Sequence, residues 1–279
     1  MFIKCWGSRG SISVSGKDYI KYGGDTTCME IRPKSGEIII IDAGTGIRRL
    51  GNKMIEENCF KYHFIFTHAH WDHIMGFPFF KPIHMEQTEI QMHRCPFASK
   101  FVETVLSKVM TAPYFPVRYA ELRAKIDYEE ACPNTFEIGS VTVTPISISH
   151  PNSGSGYKFI EDGKSFVFLT DNELEYIHPE GLPFESYRDF SAGADFLIHD
   201  AEYTPEEYET TKTWGHSTYT DALTLALDAG VKKLGLFHLN QDRTDKDMDD
   251  IVETCRQKIN ERGHDLECFA VENNMTFEL

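Results

Sequence analysis

The sequence predicts an α/β fold, in which two mixed β-sheets pack face to face with helices outside, an αβ/βα four-layer sandwich. Three observations carry this. Short apolar runs of strand length first follow one another and then alternate with helix-period segments, once in each half of the chain. The run Ile38-Ile39-Ile40-Ile41 is apolar on both faces, as a strand covered on both sides should be. The chain has 279 residues, 41% of them hydrophobic, and no linker or low-complexity tract, so it reads as a single domain over 1–279.

In the first half, strands are expected at about 2–6, 26–32, 37–42 and 62–67. The second alternates Cys28, Glu30 and Arg32 with Met29 and Ile31. The third runs into Asp42-Ala43-Gly44-Thr45-Gly46, an acidic turn, and a helix follows through Ile47, Leu50, Met54 and Ile55. The second half predicts strands near 141–149, 156–160, 165–170 and 195–199, then a helix over 218–229 and a strand at 233–238. A helix over about 245–262 and a strand near 267–271 close the chain. The acidic run Asp242 to Asp250 suits the start of that helix, where carboxylates complement the macrodipole.

Between the halves, about 81–135 reads as irregular, with Pro82, Pro96, Pro113, Pro116 and Pro133, and with helical period only from Phe97 to Met110. Seven basic and seven acidic residues fall between 81 and 130, so this stretch is no polyanion clamp. It is expected to be an insertion that covers or borders the functional site.

Formal net charge is −15, from 28 Lys+Arg against 43 Asp+Glu, which argues against broad electrostatic capture of a nucleic-acid polymer. A small anionic substrate fits, because bound dications would reverse the sign locally. The seven cysteines are scattered, odd in number and never spaced Cys-x-x-Cys, against a disulfide framework or a cysteine zinc site. The start of the chain lacks a secretory apolar segment, and no apolar run approaches the roughly 20 residues that span a bilayer. A cytoplasmic protein without membrane association is the expectation.

The densest chemistry is Thr67-His68-Ala69-His70-Trp71-Asp72-His73, directly after the apolar run His63-Phe64-Ile65-Phe66. At a strand end His68 and His70 can face one ion, and Asp72 and His73 a second; imidazole with carboxylate suits zinc, manganese or iron. Three further apolar strands each run into one candidate ligand: His150, Asp171 and His238. Strand ends fix a ligand rigidly.

The order His-x-His-x-Asp-His, His, Asp, His resembles the metallo-β-lactamase superfamily along essentially the whole chain. The resemblance implies that His68, His70 and His150 bind one metal and Asp72, His73 and His238 a second, with Asp171 and a hydroxide bridging them. The zinc β-lactamases commonly carry Cys where Asp171 stands, and flavodiiron proteins carry Glu where His70 stands, so a symmetric, non-redox dinuclear site is implied.

Trp214-Gly215-His216-Ser217-Thr218 resembles the Gly-His-Ser-Thr motif of the transfer-RNA 3′-processing endonucleases and their phosphodiesterase relatives. Ile198-His199-Asp200-Ala201-Glu202-Tyr203 resembles the companion acidic motif. That implies a pair, Asp200 orienting His216, with His216 assisting the leaving oxygen and Ser217 and Thr218 near substrate. The plainer reading of His216 is a residue at a helix start that Ser217 or Thr218 caps.

Gly7-Ser8-Arg9-Gly10-Ser11 and Tyr22-Gly23-Gly24-Asp25-Thr26-Thr27 resemble the branch holding cyclic-nucleotide and phosphoribosyl cyclic-phosphate phosphodiesterases, where Arg9 could meet a phosphate. Asp42 is read either as a support for the ligands or as an Asx-type turn. His63 reads as a sheet-face residue, His178 and His264 as surface-loop residues, and Phe77, Phe79 and Phe80 as packing beneath the metal loop.

The expected function is hydrolysis of a small cyclic nucleotide or cyclic phosphate by a metal-bound hydroxide, with two divalent ions, Zn2+ or Mn2+ (iron also fits). Asp72, His216 and Asp200 are the expected catalytic residues. RNA 3′-end processing and carboxylic or thioester hydrolysis are the alternatives on this fold, and a ligand-binding module that keeps the metal site is the alternative outside enzymes. Relatives of this kind are commonly dimers, so a homodimer is compatible.

Overall fold

The structure is a computed structural model that describes residues 1–93, 99–129 and 134–279. The first half holds β1 (Phe2–Gly7), β2 (Cys28–Arg32), β3 (Ile39–Ile41), α1 (Ile47–Glu56), β4 (Lys61–Ile65), α2 (Trp71–Ile74), β5 (Glu89–His93), α3 (Ser99–Val109) and β6 (Lys125–Tyr128). The second half opens with β7 (Phe136–Ile138), β8 (Val141–Ser147), β9 (Ser155–Glu161), β10 (Lys164–Leu169), α4 (Phe184–Ser191) and β11 (Phe196–Asp200). It continues through α5 (Pro205–Thr211), α6 (Tyr219–Asp228), β12 (Lys233–Phe237), α7 (Asp245–Glu261), β13 (Glu267–Ala270) and β14 (Thr276–Glu278). The strands form two seven-stranded sheets, ordered β14-β1-β2-β3-β4-β5-β6 and β13-β12-β11-β10-β9-β8-β7.

Alternation along the strands builds the four layers. Ile39 and Ile41 face the second sheet and share a core with Phe166, Phe168, Phe196 and Ile198. Ile38 and Ile40 turn the other way, into a core with Leu50 and Met54 of α1 and Leu106 of α3. On the far side, Val167, Leu169, Leu197 and Leu234 turn outwards to Leu223 of α6 and Ile251 and Val252 of α7. Between the sheets the ring of Phe196 lies 5.3 Å from that of Phe166 and 4.5 Å from that of Phe277. Each such ring contributes on the order of 1.5–3 kcal/mol by burial.

Strands β3 to β6 run parallel, as do β10 to β13, so within each set the carboxyl ends lie on one side. Those ends deliver the candidate ligands other than His150, which follows β8. Three of the helices in the second half are started by chemistry written beside them: Thr204, Thr218 and Thr244 cap α5, α6 and α7, each in a capping box.

The stretch 81–135 is less irregular than its prolines imply. Strands β5 and β6 extend the first sheet parallel to β4, and Val102, Leu106 and Met110 enter its outer core. The same residues border the site: Val102, Val105 and Leu106 line a small apolar recess with His68 and Ala69. Pro96, Phe97 and Pro133 lie outside the described residues. Among the described residues no helix is long and apolar enough to cross a membrane.

Candidate metal centre

The turn after β4 is held by the end of β3. Asp42, in the left-handed region at φ 62°, accepts the Thr67 N–H at 2.8 Å, the Thr67 hydroxyl at 2.7 Å and a ring N–H of His73 at 2.8 Å. Asp171 and His238 also have positive φ, 52° and 55°, and each directly follows a strand or lies one residue beyond it. Three β-carbon residues in this conformation at one edge mark local strain concentrated where the chemistry is.

Two groups of ligand atoms converge there. His68, His70, His150 and Asp171 form one, and Asp72, His73, Asp171 and His238 the other; within each, the ligand atoms lie within 4.8 Å of one another. Asp171 belongs to both. Its carboxylate oxygens lie 3.2 Å from His73 Nε2, 3.3 Å from His238 Nε2 and 3.5 Å from His68 Nε2. Asp72 Oδ2 lies 3.0 Å from His238 Nε2 and 3.2 Å from His73 Nε2, and it accepts the Ser11 N–H at 3.0 Å.

The donor set fits a cation better than it fits itself. His73 turns Nδ1 to Asp42, so its Nε2 points at two carboxylates. Nε2 of His68 and of His73 are buried without a hydrogen-bond partner, a costly state that a metal relieves. His150 gives its Nδ1 proton to the carbonyl of Gly215 at 2.8 Å, which leaves Nε2 facing His70 Nδ1 at 2.9 Å. Burial holds the His150 imidazole neutral, pushing it down to about 3. Burial likewise disfavours charge on His73, yet Asp171, Asp72 and Asp42 outweigh it and raise that ring well above the ordinary histidine range. The carboxylates therefore demand positive charge at this spot, and dications answer that demand.

Beside the second cluster, Asp200 Oδ2 lies 2.7 Å from Nδ1 of His216, so the structure brings together the two residues paired in the sequence reading. Burial works against the imidazolium, but Glu202 and Asp200 raise His216 to about 9. The ring stacks on His238 at 4.5 Å between centroids and lies 5.2 Å from His150.

A family model described as a beta-lactamase superfamily domain matches residues 38–239, which include every candidate ligand. The chain belongs to the metallo-β-lactamase superfamily. Among relatives, ribonuclease Z of Haloarcula marismortui is 25% identical over 270 residues, covering 80% of this chain and 83% of that one. The fold of the metallo-β-lactamase fold protein YhfI from Bacillus subtilis is similar, with a TM-score of 0.70, 15% identity and coverage of 100% of this chain and 99% of that one. A diphosphatase of the PhnP family is similar too, with a TM-score of 0.68, 18% identity and coverage of 100% and 97%. Superfamily membership and the His/Asp clusters together point to divalent-metal binding.

Five residues stand otherwise than the sequence led us to expect. Arg9 does not face a phosphate: it is buried, and its guanidinium donates to the carbonyls of Gly23, Asn240 and Arg243 at 2.9–3.0 Å. Ser217 is buried, donating to the Asn172 carbonyl at 2.5 Å and accepting the Leu174 N–H at 3.1 Å. Thr218 caps α6 by accepting the Asp221 N–H at 3.1 Å, so neither hydroxyl is free for substrate. His178 is no surface residue, since it is buried against Glu173 at 2.7 Å. Phe77 and Phe80 are buried as expected, whereas Phe79 is exposed.

Two glutamates were not singled out. Glu202 takes Nδ1 of His238 at 2.8 Å, turning Nε2 towards the cluster. Glu173 is buried and accepts from the Tyr208 hydroxyl at 2.6 Å, the Thr213 N–H at 2.7 Å and the Gly215 N–H at 2.8 Å, which shapes the segment before His216. Two glycines let backbone close on the rings. A Cβ on Gly10 would sit 2.2 Å from His238 Nδ1, and one on Gly215, at φ 96°, 2.2 Å from His150 Nδ1.

Proposed function

We propose that this metal-dependent hydrolase is a dinuclear phosphodiesterase that cleaves a small cyclic nucleotide or cyclic phosphate. The observation that carries the reading is the Asp200–His216 pair at 2.7 Å, set against two ligand clusters that share Asp171. His68, His70, His150 and Asp171 would hold one ion, and Asp72, His73, His238 and Asp171 the other, Zn2+ or Mn2+ by the donor types. Bound there, two dications supply Lewis acidity that activates water and offsets charge on a phosphoryl group.

The protein's own residues do the rest. Asp72, anchored by the Ser11 N–H, is placed to orient the attacking water. Asp200 fixes the Nδ1-protonated form of His216 and favours its imidazolium, so Nε2 can donate a proton to the departing oxygen. Asp42, Glu202 and the Gly215 carbonyl each occupy the far nitrogen of a ligand histidine, so the ring's other nitrogen is turned to the metal.

RNA 3′-end processing is the second reading, supported by the relative named ribonuclease Z, of which the match covers 83%. A net charge of −15 favours the small substrate over a polymer. The five described cysteines are free thiols, which suits the cytoplasm, and a homodimer is compatible with the reading.

The test is hydrolysis of a panel of 3′,5′- and 2′,3′-cyclic nucleotides beside a precursor transfer RNA, by protein loaded with manganese or zinc, with Asp72→Ala as control. Turnover of a cyclic nucleotide that the control lacks is the expected result. Cleavage of the RNA alone would move the assignment to 3′-end processing, and silence on every phosphodiester would overturn it.

A further inference from the structure

Beside His216 the surface opens into a cleft of about 360 Å³ lined by Tyr203, Glu207, Trp214, Asn240, Gln241 and Asp242, among others. We propose that this cleft is the leaving-group subsite, that it takes a nucleoside whose base stacks on Trp214, and that it excludes a second phosphate. The inference rests on the phosphodiesterase reading above and names which part of the substrate lies where.

Direction comes first. A proton donor must face the oxygen that departs, and Asp200 occupies Nδ1 of His216, so Nε2 is the donating atom. His216 itself lines the cleft, while its ring packs on His238 and His150 of the clusters. The phosphorus belongs on the cluster side, and what leaves with the oxygen belongs in the cleft.

Trp214 gives the cleft its stacking surface. It is 61% exposed, an unusual state for so large an apolar side chain, yet its backbone is fixed. Its own N–H donates to the Thr211 carbonyl at 3.0 Å, and the N–H groups of its neighbours Thr213 and Gly215 both donate to buried Glu173. A rigidly mounted indole face beside a proton donor is a stacking platform with little ordering cost.

Charge decides what the leaving group carries. The ionisable groups of the lining, besides His216 and Tyr203, are Glu202, Glu207 and Asp242, and no described lining residue is Lys or Arg. The neighbouring cation, Arg243, is committed to Glu207 at 2.5 Å and to the Glu202 carbonyl at 3.3 Å. A phosphate entering here would meet carboxylates with no free cation, whereas amino and amide groups of a base would find acceptors. The scissile phosphate is the one that faces the metal clusters.

The experiment uses full-length, metal-loaded protein with Trp214→Leu and Trp214→Phe. Substrates are nucleoside 3′,5′-cyclic phosphates, a linear oligonucleotide phosphorylated on both flanks of the scissile bond, and bis(p-nitrophenyl) phosphate as a general diester. For the cyclic nucleotides, Trp214→Leu should raise KM roughly ten- to hundred-fold, the range that base stacking supplies, with kcat changed by only about three-fold. Trp214→Phe should restore most of that KM. The doubly flanked oligonucleotide should show the lowest kcat/KM of the nucleotide substrates. A KM unmoved by Trp214→Leu, or a preference for the flanked oligonucleotide, would overturn the subsite alone. Inactivity of the wild type on all three substrate types would overturn the phosphodiesterase reading, and the subsite with it.

Discussion

His150 donates its Nδ1 proton to the carbonyl oxygen of Gly215 at 2.8 Å, and that bond ties the first ligand cluster to the segment carrying His216. The Gly215 N–H in turn donates to Glu173 at 2.8 Å. A carboxylate that belongs to neither cluster therefore braces both the ring of His150, a candidate ligand, and the segment that carries His216.

Glu173→Ala should lower kcat and weaken metal retention together, each by about ten-fold or more, as loss of an orienting partner typically does. Glu173→Gln keeps one acceptor oxygen but sets an NH2 group against N–H donors, so it should fall between alanine and wild type. Steady-state kinetics beside metal analysis after gel filtration reads both; a variant with native values on each count would remove Glu173 from the positioning network.

Asp72→Ala and His216→Ala should part company. The first removes a member of the second cluster, so bound metal and turnover should drop together. The second should keep both metals and lose kcat by on the order of 10²–10⁴-fold, the scale of general-acid loss. Metal loss in His216→Ala equal to that in Asp72→Ala would defeat this division of roles.

Glu202→Ala leaves Nδ1 of His238 without its acceptor at 2.8 Å. Metal affinity should fall roughly 10- to 100-fold. Competition against a chromogenic chelator measures it, and an unchanged affinity would show that His238 holds its orientation by packing alone.

Asp195 offers a pH test remote from the metals. Burial opposes its charge, but Lys232 at 2.8 Å, the Ser165 N–H at 2.9 Å and Lys164 at 3.4 Å together hold its carboxyl below the usual range. A depressed folded-state value means that stabilisation is complete above the unfolded-chain value near 3.8 and is lost as pH falls through the folded one. Asp195→Asn should thus cost about 1 kcal/mol at pH 7 and less in acid below pH 3.8, where the gap to wild type closes. Urea unfolding of metal-depleted proteins at neutral pH and in that acid range checks it; a gap that stays constant would contradict the linkage.

The convergence of the candidate ligands was legible because their signals are local. His68 to His73 form one dense run, and His150, Asp171 and His238 each close an apolar run that proved to end at the site. The long core elements were legible for the same reason: Ile47–Glu56 and Asp245–Glu261 carry helical period, and Lys164–Leu169 an unbroken apolar run. The edge strands β6 and β14 were not. Lys125–Tyr128 alternates charged with apolar residues over only four positions, and Thr276–Glu278 has three, too few for a period to register. The helix Pro205–Thr211 buries none of its residues and so shows no apolar stripe.

Roles set by distant partners left no mark on the chain. Arg9 reads as a phosphate contact beside glycines until Asn240 and Arg243, more than 230 positions on, are seen to take its N–H groups. Glu202 and Glu173 are unremarkable as letters, and only the approach of His238 and the 213–215 backbone gives them work.

Both ligand clusters are drawn from both sheets. His68, His70, Asp72 and His73 follow a strand of one, while His150, Asp171 and His238 follow strands of the other. Neither half can assemble either cluster by itself, so each cation would act as a rivet across the seam of the sandwich. Parting the layers would then release the ions, and the catalyst would come into being in the same event that joins the two halves.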